Sequence, residues 1–252
     1  HQLERILNER ALGKFEVMNA GIYGSGTGEQ VAWYEQWPIR FAPSIVVLTV
    51  YENDLRDDRR RPAFILRENE LVPRTEADLQ ESAKEQSSVR SITRSLPGYS
   101  FLSQHSHLLN LLRRAATTRL QPAAQESPSE VSAARQAEEA ATRQRIQRLE
   151  LSRLQGLVSG AGARLVVVYI PPRDAIWKTR ATPDSDELSA GLKESCLSLG
   201  LPFKDLTSAL QGEYTPAEPL YFGGDVHCNP AGYLAIARGV SGLLEAEKLL
   251  GE

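Results

Sequence analysis

Cysteine is scarce here, charge is nearly balanced, and no long apolar run occurs. Each shortage closes off a class of protein. Only two cysteines, Cys196 and Cys228, occur in 252 residues, and their spacing matches no metal-site pattern. A disulfide between them stays open on count alone. Cys196 falls on an expected helix and Cys228 in a loop of chemical interest, so two free thiols are expected, and the redox compartment is left open. The formal net charge of -3 argues against the electrostatic footprint of a nucleic-acid binder. The basic run Arg59-Arg60-Arg61 stands next to Asp57 and Asp58 and reads as a solvated loop rather than a phosphate site. No apolar run reaches membrane-spanning length, no signal peptide is visible, and there is no internal repeat. No Walker lysine follows Gly24-Ser25-Gly26-Thr27, which weakens a nucleotide-binding reading of that turn. His105 and His107 lack partners at metal-ligand spacing, and neither a metal nor another cofactor is expected.

What is present is an alternation of strands and helices in a chain that is 41% hydrophobic and 24% charged, enough for one large domain or a domain with an insertion. Residues 1–12 read as a helix with Leu3, Ile6 and Leu7 on one face, and 15–19 as a short strand. A glycine-rich turn, Gly21-Ile22-Tyr23-Gly24-Ser25-Gly26, leads into a helix. Thr27 is its expected cap, Gln30 the capping-box partner, and Pro38 and Pro43 end it. The β-branched run Ile45–Tyr51 reads as a strand of a parallel sheet, buried on both faces, that delivers Glu52-Asn53-Asp54 at its C-terminal end. Residues 55–103 are polar and expected to be mostly irregular.

A helix is expected over 105–119 and a linker over 121–127. A second helix opens at Ser127-Pro128-Ser129-Glu130 and runs to about Gly160. Ile146, Leu149, Leu154, Leu157 and Val158 mark its packing half. Arg164–Ile170 is another buried strand, stopped by Pro171-Pro172. A helix over 184–200, a short strand over 202–206 and a last helix over 230–250 complete the chain. The pattern predicts an α/β fold with a doubly wound, mostly parallel sheet of flavodoxin-like kind, as one domain over 1–252 with a helical insertion at about 104–160.

In such sheets ligands bind at the carboxyl ends of the strands. Three loops gather there on this reading. Gly224-Asp225-Val226-His227-Cys228-Asn229-Pro230 places a carboxylate two residues from an imidazole at the head of the last helix. The Asp can hold one ring nitrogen while the other takes a proton from a nucleophile. A surface Asp and His beside a Pro-Gly turn would look the same. Gly24 precedes a helix N-terminus and can offer a bare N–H, and Asn53 can offer a side-chain amide. Together they would make an oxyanion hole. A plain turn glycine and a strand-end cap are the alternatives for these two, and Asp54 reads as a local cap.

These blocks together resemble the SGNH (GDSL-type) hydrolase superfamily. Asn19-Ala20-Gly21-Ile22-Tyr23-Gly24 is similar to its second block, Tyr51-Glu52-Asn53-Asp54 to its third and Asp225-Val226-His227 to its last. The order of motifs, including His105-Ser106-His107-Leu108 and Asn229-Pro230-Ala231-Gly232, most resembles bacterial members related to the alginate O-acetyltransferases, and it spans nearly the whole chain. The resemblance implies that Asp225 orients His227, that His227 is base and then acid, and that Gly24 and Asn53 stabilise an oxyanion. Tyr51 stands where the family usually has glycine, and two departures matter: a single residue separates acid from base rather than the two of the commonest pattern, which fits the acetyltransferase-related branch, and Cys228 stands where an aromatic is frequent. Cys228 itself is not expected to be a nucleophile.

The superfamily's Gly-Asp-Ser block, which carries the nucleophile, is absent from this chain, and Ser25 is the nearest substitute. The abrupt helical start raises the expectation that upstream residues are lost, and with them a strand lying between the segment at 15–19 and Ile45–Tyr51. The sheet is then expected to show a slot or distortion there, since unpaired buried backbone groups cost roughly 1–3 kcal/mol each.

The implied activity is that of a serine-dependent esterase or O-acyltransferase on acyl esters of carbohydrate or cell-envelope substrates. The implied place is extracytoplasmic, with the cytoplasm as the alternative, and with membrane anchoring only through a lost N-terminal segment. Two other classes stay open: a non-catalytic binding or scaffold protein of the same fold, and a flavodoxin-like nucleotide binder. Oligomeric state is not legible.

Overall fold

In a computed structural model of the chain, residues 2–10, 15–22, 24–36, 42–54, 58, 62–78, 130–178 and 183–250 are described. The helix expected over 105–119 (with His105 and His107), the linker over 121–127, the start of the next helix at 127–129 and the basic run at 59–61 lie outside the described residues. In chain order the elements are α1 (Gln2–Arg10), α2 (Thr27–Gln36), β1 (Ile45–Tyr51), β2 (Phe64–Arg67), β3 (Glu70–Pro73), α3 (Glu130–Gly160), β4 (Arg164–Ile170), α4 (Arg173–Trp177), α5 (Pro183–Leu199), β5 (Phe203–Asp205), α6 (Thr207–Glu213) and α7 (Pro230–Ala246).

Two compact units are present, one of His1–Val72 with Thr142–Glu252 and one of Pro73–Ala141. In the second, Thr75 stands ahead of helical residues 76–78, and Asp78 accepts its N–H at 2.7 Å and its hydroxyl at 2.6 Å. The first holds the sheet. Its strands run in the order β1-β4-β5, and all pairings are parallel, with Val47 opposite Val166, Tyr51 opposite Ile170 and Val167 opposite Phe203.

Both faces of the sheet are covered, which makes the fold doubly wound. Along β4 the side chains alternate between two cores. Leu165, Val167 and Tyr169 pack with Val31 of α2, Leu151, Leu154 and Val158 of α3, and Leu188, Leu192 and Cys196 of α5. Val166 and Val168 pack with Leu7 of α1, Ile176 of α4, Leu210 of α6, and Val240, Leu243 and Leu244 of α7. Each fully buried Val or Leu contributes about 1.5–3 kcal/mol, so β4, with five buried residues in succession, is the best-anchored element. The helix read to Gly160 ends there, and its packing half centres on Leu151, Leu154 and Val158, with Ile146, Leu149 and Leu157 half-buried.

Four expectations need correction. Residues 15–19 form no strand. Their backbone groups bond to α1 side chains instead: Asn8 Oδ1 accepts the Phe15 N–H at 2.7 Å, Asn8 Nδ2 donates to the Phe15 carbonyl at 2.9 Å, and Glu4 accepts the Val17 N–H at 2.8 Å. Among the described residues β1 pairs with β4 alone, and it is not buried throughout on both faces, because Thr49 is exposed. The polar stretch after residue 55 holds a hairpin, β2–β3, turned by Glu68 and Asn69 at φ 48° and 72°, as a two-residue type I′ turn requires. The last helix stops at Ala246, because Lys248 adopts φ 53° and the Leu249 N–H turns back to the Leu244 carbonyl at 2.9 Å.

Candidate active site

The loop at 220–229 carries Asp225 and His227 and leads directly into α7. Asn229 caps that helix by accepting the Gly232 N–H at 2.9 Å, and Pro230 follows in the first turn. The loop closes on itself through Asn229 N–H to Leu220 O at 2.9 Å, Phe222 N–H to His227 O at 3.1 Å and Asp225 N–H to Phe222 O at 3.2 Å.

Four side chains fasten this loop to the carboxyl ends of the strands. Buried Tyr221 donates its hydroxyl to Pro171 O, just past β4, at 2.6 Å. Tyr51, the last residue of β1, donates to Val226 O at 3.3 Å. Arg173 Nη1 donates to Gly223 O at 3.2 Å and Asp225 O at 3.1 Å, and its guanidinium lies 4.8 Å from the Trp177 ring centroid. Trp177 Nε1 in turn donates to Pro219 O at 2.7 Å. Burial pushes the hydroxyls of Tyr51 and Tyr221 far above their ordinary value of 10.0, so both stay protonated donors. Tyr51 was read only as part of its block, and Tyr221, Arg173 and Trp177 were not singled out from sequence. Their signal was position, since Tyr51 ends one strand run and Arg173 follows the Pro171-Pro172 stop of the other.

Within the loop, His227 Nδ1 lies 2.6 Å from Asp225 Oδ1. The same oxygen accepts the N–H groups of Val226 at 2.6 Å and His227 at 3.3 Å. Hydrogen bonding from His227 is the leading cause that holds the Asp225 carboxyl below its ordinary 3.8, with the backbone donors acting in the same direction. Asp225 is therefore an anion across the neutral range, and the contact commits Nδ1. Nε2 is left as the nitrogen for proton exchange. The side chains of His227 and Asp225 are 56% and 51% exposed, open to a substrate.

Gly24 has φ 66°, a left-handed conformation that a side chain would strain, one turn ahead of α2. Asn53 lies half-buried among helical residues 52–54, which follow directly on β1. Asp54 caps locally, as expected, by accepting the Tyr51 N–H at 3.1 Å. The structure brings Asp225 and His227 into direct contact and joins the end of β1 to their loop through Tyr51. The Gly24 turn is joined to the segment after Asn53 by Asp58, which accepts the N–H groups of Thr27 at 3.2 Å and Gly28 at 3.1 Å.

That distant carboxylate also corrects the capping expectation for α2. Thr27 is already helical, and the local contact is one-sided: Glu29 accepts the Gly26 N–H at 3.2 Å, and Gly26 has no side chain to complete a box, so Asp58 takes the N–H groups that a capping side chain would. Ser25 is buried, and its hydroxyl donates to Ile22 O at 2.9 Å.

Both cysteines are free and buried. Burial pushes the Cys228 thiol up to about 11 and the Cys196 thiol to about 12. Burial thus disfavours the reactive thiolate at both positions. Native protein at pH 7.5 should take up no iodoacetamide over an hour and two equivalents once unfolded in urea, as read by intact mass. Among the described residues no cluster of three His, Cys, Asp or Glu is placed to hold a metal, and no helix is long and apolar enough to cross a membrane.

A model of the GDSL-like lipase/acylhydrolase family matches residues 1–235, a span that includes all three loops of the site. The chain belongs to that family, and at the family's level it is an ester hydrolase or acyltransferase of the SGNH α/β fold. Comparison with curated proteins and with solved structures gave no match.

Proposed function

We propose that the chain supplies the acid, the base and the oxyanion donors of a serine-dependent esterase or O-acetyltransferase. Its substrates are acetyl esters on carbohydrate or cell-envelope polymers, as in the alginate O-acetyltransferase-related branch. The observation that carries this reading is the 2.6 Å contact between Asp225 and His227 at the carboxyl rim of the sheet.

In the proposed cycle the serine comes from residues N-terminal to His1. His227 Nε2 takes its proton as the serine oxygen adds to the ester carbonyl. The Gly24 N–H and the Asn53 amide receive the charge on the tetrahedral oxygen. The imidazolium then protonates the departing alcohol, and Asp225 stabilises that imidazolium throughout. Water or a sugar hydroxyl next attacks the acyl-serine, with His227 again the base, giving hydrolysis or transfer from one set of groups. The two local candidates are poor nucleophiles beside such a serine, because the Ser25 hydroxyl is bonded to Ile22 and the Cys228 thiol is protonated. The reading takes 1–252 as one SGNH domain with an insertion at about 104–160, working outside the cytoplasm.

Its test is active-site labelling of protein that includes the residues preceding His1. A fluorophosphonate should modify one serine ahead of His1, and p-nitrophenyl acetate hydrolysis should disappear in parallel. Labelling at Ser25 would move the nucleophile into the Gly24 turn and overturn the upstream serine, and carbohydrate binding with no turnover and no label would replace the enzyme by the scaffold alternative.

A further inference from the structure

At 3% exposure Glu150 is the most buried acid among the described residues, and the proposed chemistry makes no use of it. It lies on α3 beside Leu151, itself fully buried, and its carboxyl meets the first turn of α2. A Cβ placed on Gly28 would stand 2.5 Å from Glu150 Oε1. Asp58 reaches the same turn, its two oxygens accepting the N–H groups of Thr27 and Gly28. A Cβ on Gly26 would overlap Asp58 Oδ1. The two carboxyls thus converge on one turn of backbone, and glycines at 26 and 28 make the room.

Two carboxyls crowded together do not both ionise. Asp58 has the backbone donors and the positive end of the helix, so the charge settles there. Glu150 has burial against it and the Asp58 charge beside it, and both push its carboxyl well above the ordinary 4.5. The other titratable groups on the surrounding elements are engaged or uncharged. Glu29 accepts the Gly26 N–H, Glu35 pairs with Arg153 at 2.6 Å, and Tyr34 is a phenol.

We propose that Glu150 is a positioning residue: packed with Asp58 against the first turn of α2, it helps hold that turn to the segment that follows Asn53 and so sets Gly24 against Asn53. The clamp stands on its own geometry. Its catalytic consequence rests on the oxyanion roles of Gly24 and Asn53 in the proposed cycle.

The sign of its pH dependence follows from a raised carboxyl. Its contribution is complete below about pH 4.5 and is lost as pH rises through the raised value. Glu150→Gln keeps the shape and an uncharged donor but needs no proton.

The experiment compares Glu150→Gln, Glu150→Ala and Asp58→Asn with the parent chain by amide hydrogen exchange at Thr27 and Gly28 and by Tm from pH 5 to 9. Exchange should rise at least tenfold in Glu150→Ala and in Asp58→Asn and stay at the parent level in Glu150→Gln. The Tm of Glu150→Gln should gain on the parent by roughly 2–4 °C across that range, the equivalent of about 1 kcal/mol. In protein competent for turnover, Glu150→Ala should lower kcat about 10–100-fold with KM little changed, and Glu150→Gln should restore it. A Gln variant that exchanges like the Ala variant, or a Tm difference flat with pH, overturns the clamp. Absence of turnover in the parent overturns the ester reading instead, since exchange and Tm judge the clamp without it.

Discussion

Replacing His227 with alanine should lower p-nitrophenyl acetate turnover by about 10³–10⁴-fold and leave the Tm within roughly 1–2 °C of the parent. The two halves of this expectation have different sources. The imidazole is more than half exposed and its one side-chain contact is with Asp225, so its removal leaves no cavity and no stranded buried group. Its chemical role in the proposed cycle is total, because no other described group at the rim has a nitrogen held in one tautomer by a carboxylate. Asp225→Asn should cost roughly 10²–10⁴-fold by losing that tautomer and the charge opposite the imidazolium. Because Asp225 stays ionised until well into the acid range, its interaction with His227 is present above pH 3.8 and is lost only as pH falls through the lowered value. Steady-state kinetics on protein competent for turnover checks both variants. Turnover indifferent to His227→Ala would remove the acid–base reading.

The second large effect is expected at Gly232, which contacts no substrate in the proposed cycle. A Cβ there would overlap the Leu220 carbonyl oxygen and press on Cys228 Cβ at 3.0 Å. Neither neighbour can swing aside. Leu220 is 2% exposed, has φ 60°, and its carbonyl also receives the Asn229 N–H. Gly232→Ala should therefore destabilise by about 3 kcal/mol, the upper end of overpacking, and lower the Tm by roughly 6–12 °C. It should also reduce turnover about 100-fold in the folded fraction, because Leu220 and Asn229 form the neck of the loop that aims His227. Gly242→Ala is the control. Its Cβ would meet only Lys204 Nζ at 3.5 Å, so it should be neutral or stabilising by up to about 1 kcal/mol. Urea denaturation of the two variants side by side separates a packing effect from a general intolerance of alanine in α7.

The central strands were legible because their signal is local. Ile45–Tyr51 and Arg164–Ile170 are β-branched runs too apolar to face water, and their bounds agree with the structure to the residue. The contact of Asp225 with His227 was legible for the same reason, two residues apart in one turn. Misreadings arose where the outcome depends on a partner elsewhere. The alternation at 15–19 marks an inner and an outer face, yet it cannot say that Asn8 and Glu4 will take the backbone groups a neighbouring strand would need. The β2–β3 hairpin was hidden because its turn uses Glu68 and Asn69 rather than glycine, and Glu is an unusual occupant of a left-handed position. The helices α4 and α6 are too short, at 5 and 7 residues, to display a period. The struts of the site were out of reach altogether, since Tyr51 and Val226 are 175 positions apart and Asp58 and Thr27 are 31 apart.

The separation of acid and base by a single residue bears on heat as well as on chemistry. The bonds that the Asp225 carboxylate makes to the imidazole and to the N–H groups of Val226 and His227 all close inside the tripeptide 225–227. The pair therefore travels as one small rigid body when the rim breathes, and warming should displace it from the substrate before it uncouples the two side chains. Rate would then fade with temperature through lost aim while the acidic limb of the pH profile kept its place.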